Sequence, residues 1–246
     1  MDLIYMDPPF GPKNEDTYYG VGDNLEEFLA YIKERVLHLT KGRRDFNFVL
    51  QVDPKASHYL KVELDKVLGR ENFQNEIIWG FSGPSVSKRH LPRKHGVVLW
   101  WGLGDYPYNP VRVPYKEGLS VGGKTSWAKG EADVEGYLEK GKLLEDWWVD
   151  IPALVRNEKE KRGYATQKPV KLLERIVGML SNKGGLVIDP MFGSGTTGLA
   201  ALRLGRSFLG SDLNPEALKI AEQALRLEEK EVPFWEGAPA SPDRGK

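Results

Sequence analysis

The chain has 246 residues, no cysteine, and 35 acidic against 35 basic residues, so its formal net charge is zero. This length suits one domain with an elaborated loop region, and the lack of cysteine excludes disulfides and thiolate metal sites. The sequence has neither an apolar run that could cross a bilayer nor a signal-peptide core, so we expect a cytoplasmic location and no membrane association. Zero net charge does not by itself indicate a nucleic-acid partner, because phosphate contacts need local positive charge.

Strands and helices are predicted to alternate at both ends of the chain. The first half shows a strand at 2–6, a helix at 25–39, a strand at 46–52, a helix at 55–68, and strands at 75–81 and 96–101 joined by a basic loop. The second half shows a helix at 169–181, a strand at 186–188, a helix at 196–204, a strand at 207–210 and a helix at 215–227. This alternation predicts an α/β fold with a mixed, mostly parallel sheet.

The intervening residues 103–165 have no clear period, since Pro, Gly, Trp and charged residues are intermixed. So long an irregular stretch inside a compact domain usually has a function, and we interpret it as a functional insertion. The tail from Val232 is rich in Pro and Gly and is predicted to be loose.

A glycine-rich segment, DPMFGSGTT at 189–197, lies between a predicted strand and a predicted helix. Gly193 and Gly195 would let the backbone approach a ligand closely. Asp212 follows the next strand, where a carboxylate can accept hydrogen bonds from ribose hydroxyls. The loop alone could be a simple glycine turn, but together with Asp212 it indicates a nucleoside-binding site. The segment lacks the lysine of a phosphate loop, so a triphosphate is not expected.

A second motif, Asp7-Pro8-Pro9-Phe10, directly follows the first predicted strand. The two prolines stiffen the loop and hold a carboxylate, a carbonyl and an aromatic ring close together. The Asp7 carboxylate and the Pro8 carbonyl could accept both hydrogens of an amino group on a flat ring, while Phe10 stacks on that ring. Such hydrogen bonds would make the nitrogen lone pair a nucleophile toward a sulfonium methyl group. In isolation, a rigid exit from the strand is the simpler interpretation.

The two motifs together resemble those of the DNA amino-methyltransferases, which modify N6 of adenine or N4 of cytosine. A third family motif is matched by Thr166-Gln167-Lys168-Pro169, ahead of a predicted helix. The motif order resembles the β-type permutation, with the catalytic loop first and the cofactor loop last. The resemblance covers roughly 1–102 and 145–228, and it implies a permuted Rossmann-like, S-adenosylmethionine-dependent methyltransferase fold.

The resemblance also implies a division of the chain and the partners it needs. Residues 1–102 would form the catalytic half, 103–165 a target-recognition region, 166–230 the cofactor-binding half and 231–246 a loose tail. The implied reaction moves a methyl group from S-adenosylmethionine to N6 of a flipped adenine in double-stranded DNA. N4-cytosine methylation and a catalytically silent DNA-binding relative are the alternatives, with RNA or a small molecule as more distant substrates. A homodimer and a separate restriction endonuclease are possible partners.

Roles by position follow from the resemblance. The catalytic loop would be Asp7, Pro8, Pro9 and Phe10, with no metal required. The cofactor-binding residues would be Thr166, Gln167, Lys168, Asp189, Met191, Phe192, Gly193, Gly195, Thr196 and Asp212. Among them, Thr166, Gln167 and Lys168 would close over the methionine end of the cofactor.

The sequence departs from the family pattern in two respects. The family commonly has Phe directly after the Asp-Pro of the cofactor loop, whereas here Met191 stands there and Phe192 follows. Either side chain could therefore contact the adenine of the cofactor. The family also usually has a segment ahead of the catalytic strand, whereas this sequence begins at that strand, so we expect a shortened start or a sheet that closes differently.

Local positive charge is concentrated between the two strands predicted at 75–81 and 96–101. Phosphate contacts are predicted for Lys88, Arg89, Arg93 and Lys94. A solvated loop is the alternative for this segment.

Overall fold

The computed structural model describes residues 1–9, 24–82, 89–114, 141–154, 160–164 and 166–231. Its strands are β1 (Leu3–Met6), β2 (Phe46–Val52), β3 (Phe73–Gly80), β4 (His95–Leu103), β5 (Arg112–Val113), β6 (Lys142–Leu143), β7 (Trp147–Trp148), β8 (Leu186–Asp189) and β9 (Ser207–Gly210). Its α-helices are α1 (Leu25–Thr40), α2 (Pro54–Leu68), α3 (Val170–Leu180), α4 (Thr196–Arg203) and α5 (Pro215–Glu231), with a 3₁₀ turn at Arg70–Asn72. The helices and strands predicted from the sequence are present, with bounds that differ by a few residues.

The main sheet has seven strands in the order β7-β3-β4-β2-β1-β8-β9. β4 runs antiparallel to both of its neighbours, and all the other pairs are parallel. The prediction of a mixed, mostly parallel sheet is therefore confirmed. The strands β1, β8 and β9 are adjacent and parallel, so their C-terminal ends lie together at one edge, here called the carboxyl edge.

Alternation along β1 divides the core into two layers. Leu3 and Tyr5 pack in the cluster that includes α3, whereas Ile4 and Met6 pack in the cluster that includes α1 and α2. A strand covered on both faces must be apolar at every position, which is why LIYM reads as an uninterrupted hydrophobic run. Any side chain two residues beyond Tyr5 is consequently directed toward the α3 layer.

The tryptophan pairs show the same alternation. Trp100 and Trp101 are buried on opposite faces of β4. Of the second pair, Trp148 is buried, whereas Trp147 is 60% exposed. The reason is that β7 is a two-residue strand at the edge of the sheet, and its successive side chains point to opposite faces.

The predicted insertion at 103–165 contains short strands where it is described. β5 and β6 pair as a separate antiparallel ribbon, and β7 joins the main sheet beside β3. Residues 115–140 and 155–159 of this region, and the predicted loose tail from Val232, lie outside the described residues. Within the described ranges, no helix combines the length and apolar character needed to span a bilayer.

Candidate active site

Three carboxylates meet at the carboxyl edge because of the strand order. Asp7 directly follows β1, Asp189 ends β8, and Asp212 lies two residues beyond β9. The charge of Asp7 helps to raise the pKa of Asp189, as does the charge of Asp212, which places the three groups in one electrostatic neighbourhood. Two motifs that are about 180 residues apart in sequence are therefore brought close together at the carboxyl edge.

The Asp7 side chain is largely buried, at 17% exposed, and its two oxygens have different surroundings. One oxygen, Oδ2, accepts a hydrogen bond from Nζ of Lys168 at 2.5 Å. The other, Oδ1, is buried and has no hydrogen-bond partner in the described structure. Burial raises the pKa of the Asp7 carboxyl, while the charge and hydrogen bond of Lys168 oppose that rise.

An acceptor that is buried without a donor costs about 1–3 kcal/mol, and native structures seldom retain one without a role. A substrate that brings an N–H donor to Oδ1 would remove that cost. Pro8 is buried and Pro9 is partly buried beside Asp7, so the loop is rigid where the donor would arrive. Phe10, predicted to stack on the base, lies outside the described residues.

The glycines of the cofactor loop are required by backbone geometry and by packing. Gly193 and Gly195 have φ angles of 52° and 78°, in the left-handed region that favours glycine. A Cβ at Gly195 would lie 2.8 Å from Cβ of Ala221, and a Cβ at Gly193 would lie 3.0 Å from the ring of Tyr164. The loop is therefore held tightly between α5 and the segment 160–164.

The side chain of Asp189 stabilises this loop through two hydrogen bonds. Its Oδ2 accepts a hydrogen bond from Oγ1 of Thr197 at 2.6 Å, and its Oδ1 accepts one from the N–H of Met191 at 3.0 Å. Burial raises the pKa of Asp189 to about 7, and the two hydrogen bonds only partly offset that effect. Thr196 is also buried, and its hydroxyl lies 3.1 Å from that of Ser194. These contacts fix the shape of the loop.

Asp212 connects the loop to the start of α5. Its Oδ2 accepts a hydrogen bond from the N–H of Gly193 at 2.9 Å, and its Oδ1 accepts one from the N–H of Asn214 at 2.8 Å. A carboxylate can accept about four hydrogen bonds, so each oxygen retains a lone pair for a further donor. Asp212 is partly buried, which leaves it accessible to a ligand at the carboxyl edge.

Met191 and Phe192 point to different sides of the loop. Met191 packs against the α1 and α2 cluster. Phe192 lies beside β9, with its ring centroid 5.9 Å from that of Phe208 and its N–H donating to the carbonyl of Ser211. The aromatic ring therefore lies on the same side of the loop as the chain that leads to Asp212.

The residues of the motif at 166–168 lie in two different environments. Thr166 is exposed, whereas Gln167 and Lys168 are buried. The side-chain amide of Gln167 accepts a hydrogen bond from the N–H of Arg162 at 2.9 Å and donates one to the carbonyl of Glu160 at 2.8 Å. Gln167 thus orders the turn at 160–164, while Lys168 reaches Asp7.

Sequence reasoning did not assign a role to this turn. Arg162 is partly buried, and its guanidinium group donates a hydrogen bond to the carbonyl of Ser194 at 3.5 Å. Glu160 accepts a hydrogen bond from the N–H of Val170 at 2.5 Å and so caps α3 from ten residues upstream. The only sequence signal for these roles is the proximity of the turn to the Thr166-Gln167-Lys168-Pro169 motif.

The predicted phosphate-binding loop also lies at the carboxyl edge. β3 runs parallel to β1, so the loop that follows β3 leaves the sheet on the same side as Asp7. Arg89 and Arg93 are exposed there, and Lys94 is partly buried, with its carbonyl accepting a hydrogen bond from the N–H of Phe81. Lys88 lies outside the described residues.

Comparison with known proteins identifies the class to which this fold and site belong. Residues 1–223 match the N6_N4_Mtase family model, described as DNA methylase. The chain belongs to this family of DNA methyltransferases, which act on N6 of adenine or N4 of cytosine. Membership confirms the resemblance inferred from the motifs, the methyltransferase fold and S-adenosylmethionine as the cofactor.

Individual relatives agree with this assignment. The chain is 41% identical to the type II methyltransferase M2.DpnII of Streptococcus pneumoniae, over 93% of this chain and 83% of that protein. It is 33% identical to the type II methyltransferase M.BamHI of Bacillus amyloliquefaciens over 89% of this chain, but it spans only 52% of that protein. The crystal structure of the M1.HpyAVI complex with S-adenosylmethionine shares the fold, with a TM-score of 0.59, 20% identity, and coverage of 91% of this chain and 88% of that one.

Proposed function

We propose that the chain transfers a methyl group from S-adenosylmethionine to N6 of adenine within a short specific sequence of double-stranded DNA. The observation that carries this proposal is the buried, unpartnered Oδ1 of Asp7, which lies one strand away from the glycine loop. An amino group inside a duplex is out of reach of such a site, so the adenine must be flipped out of the stack.

The cofactor loop has the groups that a nucleoside requires. Asp212 can accept hydrogen bonds from the two ribose hydroxyls while it retains its bonds to Gly193 and Asn214. An adenine beside that ribose would meet the ring of Phe192 rather than Met191, which packs away from β9. When bound, S-adenosylmethionine provides an electrophilic methyl group on a positively charged sulfur.

Asp7 and Pro8 would receive the target amino group. Oδ1 of Asp7 accepts one N–H and the carbonyl of Pro8 accepts the other, which turns the lone pair of the nitrogen out of conjugation with the ring. The nitrogen would then form a bond to the methyl carbon as the bond from that carbon to sulfur breaks, with the electron pair of that bond staying on sulfur. The proton that the nitrogen loses would pass to Oδ1 of Asp7 and from there to solvent. The carboxylate stabilises the positive charge that develops on the nitrogen during this step.

The base can be tested directly. Asp7 at the first position of the catalytic loop favours adenine, because cytosine-specific members of the family more often have Ser there. We expect plasmid DNA incubated with the protein and isotope-labelled cofactor to contain N6-methyladenine, measured by nucleoside mass spectrometry. N4-methylcytosine would contradict the choice of base. Cofactor binding with no methyl transfer to DNA would indicate a silent DNA-binding relative.

The basic loop after β3 is proposed as a phosphate-binding segment, and it provides a further prediction. Replacing Arg89 and Arg93 by Ala should weaken DNA binding and reduce the slope of log affinity against log salt by about one for each phosphate that the protein no longer neutralises. Fluorescence anisotropy at several salt concentrations measures both quantities. Arg44→Ala is the matched control, because Arg44 is exposed at the opposite edge of the sheet, ahead of β2. An unchanged salt slope in the double variant would show that the loop is merely solvated.

The proposal also includes the division of the chain, its partners and its location. Residues 103–165 are assigned to target recognition, between the catalytic half at 1–102 and the cofactor-binding half at 166–230. A homodimer, a separate restriction endonuclease and a cytoplasmic location stay predictions based on the family.

A further inference from the structure

Lys168 and Asp7 form a buried ion pair between the two halves of the chain. Nζ of Lys168 lies 2.5 Å from Oδ2 of Asp7, and the two side chains are 10% and 17% exposed. The same Nζ donates to the carbonyl of Thr166 at 3.3 Å. Desolvating two charges is costly, and a buried pair is often no more stable than apolar residues of similar volume, so its presence at the site indicates a functional reason.

The fold places these two side chains together. Asp7 follows Tyr5 by two residues, so it is directed toward the α3 layer. Lys168 directly precedes Pro169, the N-cap of α3, and α3 packs on that same layer. The strand order and the position of α3 therefore place Asp7 near the N-terminal end of that helix.

The two oxygens of Asp7 have opposite environments. Oδ2 is paired with the Lys168 ammonium group, whereas Oδ1 is buried with no hydrogen-bond partner in the described structure. A carboxylate held at one oxygen cannot rotate freely, so the direction of the other oxygen is fixed.

We propose that Lys168 is a positioning residue for Asp7, which keeps the carboxylate ionised and directs Oδ1 to the amino group of the target base. This proposal rests on the function proposed above, and it gives Lys168 a different role from closure over the methionine end of the cofactor. Glutamine in its place would still donate a hydrogen bond but would lack the charge, and arginine would keep the charge with a different shape.

The groups around Asp7 make its ionisation depend on the positive charge of Lys168. From β1, the hydroxyl of Tyr5 donates to Gln51 and stays neutral, because burial raises its pKa well above the usual value. From β8, Asp189 acts on Asp7 as a like charge when it is ionised. Burial favours protonation of Asp7 and raises its pKa, and the charge and hydrogen bond of Lys168 oppose that rise. A protonated Asp7 would stabilise developing positive charge less well.

Loss of the Lys168 charge is expected to change the pH dependence of methyl transfer. Methyl transfer requires ionised Asp7, so the rate should rise with pH through the pKa of that carboxyl. Lys168→Met should raise the pKa of Asp7, which moves the acidic limb of the profile to higher pH and, at a pH below the pKa in both proteins, lowers the rate by about tenfold for each pKa unit. Lys168→Arg should retain most of the wild-type rate. Lys168→Gln should show the same displaced acidic limb as Lys168→Met, and it should fold even where the Met variant does not.

The test compares these variants by single-turnover methyl transfer against pH, by calorimetric affinity for S-adenosylmethionine, and by NMR titration of the Asp7 carboxyl. Lys171→Met is the matched control, because Lys171 lies exposed on α3. We expect a displaced limb and a raised Asp7 pKa for Met and Gln at position 168, with cofactor affinity changed by less than about threefold. An unmoved limb, or a loss of cofactor affinity that accounts for the whole loss of rate, would overturn the proposal.

The NMR titration separates this proposal from the proposed function. If the wild-type protein transfers no methyl group to DNA, the proposed function fails irrespective of the ion pair. If the wild-type protein is active and the Asp7 pKa does not change on Lys168→Met, the positioning role fails and the proposed function stands.

Discussion

Replacement of Asp7 by Asn should reduce methyl transfer by about 10²–10⁴-fold while affinity for S-adenosylmethionine changes little. The amide keeps the volume of the carboxylate and can accept a hydrogen bond from Lys168. It removes the negative charge that stabilises the amino nitrogen as it gains the methyl group, and that charge acts on the transition state rather than on cofactor binding. Single-turnover rates with saturating DNA and cofactor measure the effect.

The choice of Asn rather than Ala protects this test from a folding artefact. Asp7→Ala would leave the buried ammonium of Lys168 with neither a counter-charge nor a hydrogen-bond acceptor, and breaking a buried pair in this way costs about 3–5 kcal/mol, whereas Asn keeps the acceptor and the volume. Asp105→Ala serves as control, since Asp105 is exposed after β4 at the opposite edge of the sheet. Near-normal turnover of Asp7→Asn, with Asp105→Ala also normal, would refute the catalytic assignment.

The second large effect is expected at Asp212. Asp212→Ala should weaken the binding of S-adenosylmethionine by roughly 100-fold or more, because in the proposed site it removes the charged acceptor of two hydrogen bonds from ribose hydroxyls, each with a net worth of about 1.5–3 kcal/mol. The same change frees the N–H groups of Gly193 and Asn214, which loosens the cofactor loop. Isothermal titration calorimetry gives the affinity, and thermal unfolding gives the stability.

A second variant distinguishes loss of the ribose contact from loosening of the cofactor loop as the cause of weaker cofactor binding. Oδ1 of Asn214 accepts a hydrogen bond from the N–H of Glu216 at the start of α5, at 3.0 Å. Asn214→Ala should therefore destabilise the same junction by about 1 kcal/mol, as the loss of a helix cap does, without touching the ribose. Equal losses of cofactor affinity in the Asp212 and Asn214 variants would mean that Asp212 acts only by holding the loop.

The pattern of residues along the chain predicted the helices and strands outside 103–165, but not the short strands β5, β6 and β7 within that region. β9 was predicted with the bounds that the structure shows, Ser207–Gly210, because a short apolar run between turn residues is a local signal. The sequence also shows that the carboxylates at 7, 189 and 212 lie at the ends of predicted strands, and parallel strands that alternate with helices bring their C-terminal ends together. The family motifs then made the chemistry specific.

The tertiary structure decided which side chains meet within that site. Lys168 reaches Asp7 across 161 residues, and Gln167, its neighbour in the same motif, turns instead to the backbone at Glu160 and Arg162. Phe192 and Met191 likewise separate onto two sides of the loop. Composition and local periodicity specify the face of a strand or helix, but these pairings depend on the order of β1, β8 and β9 and on the position of α3. Those are long-range packing relations, and no local pattern in the sequence contains them.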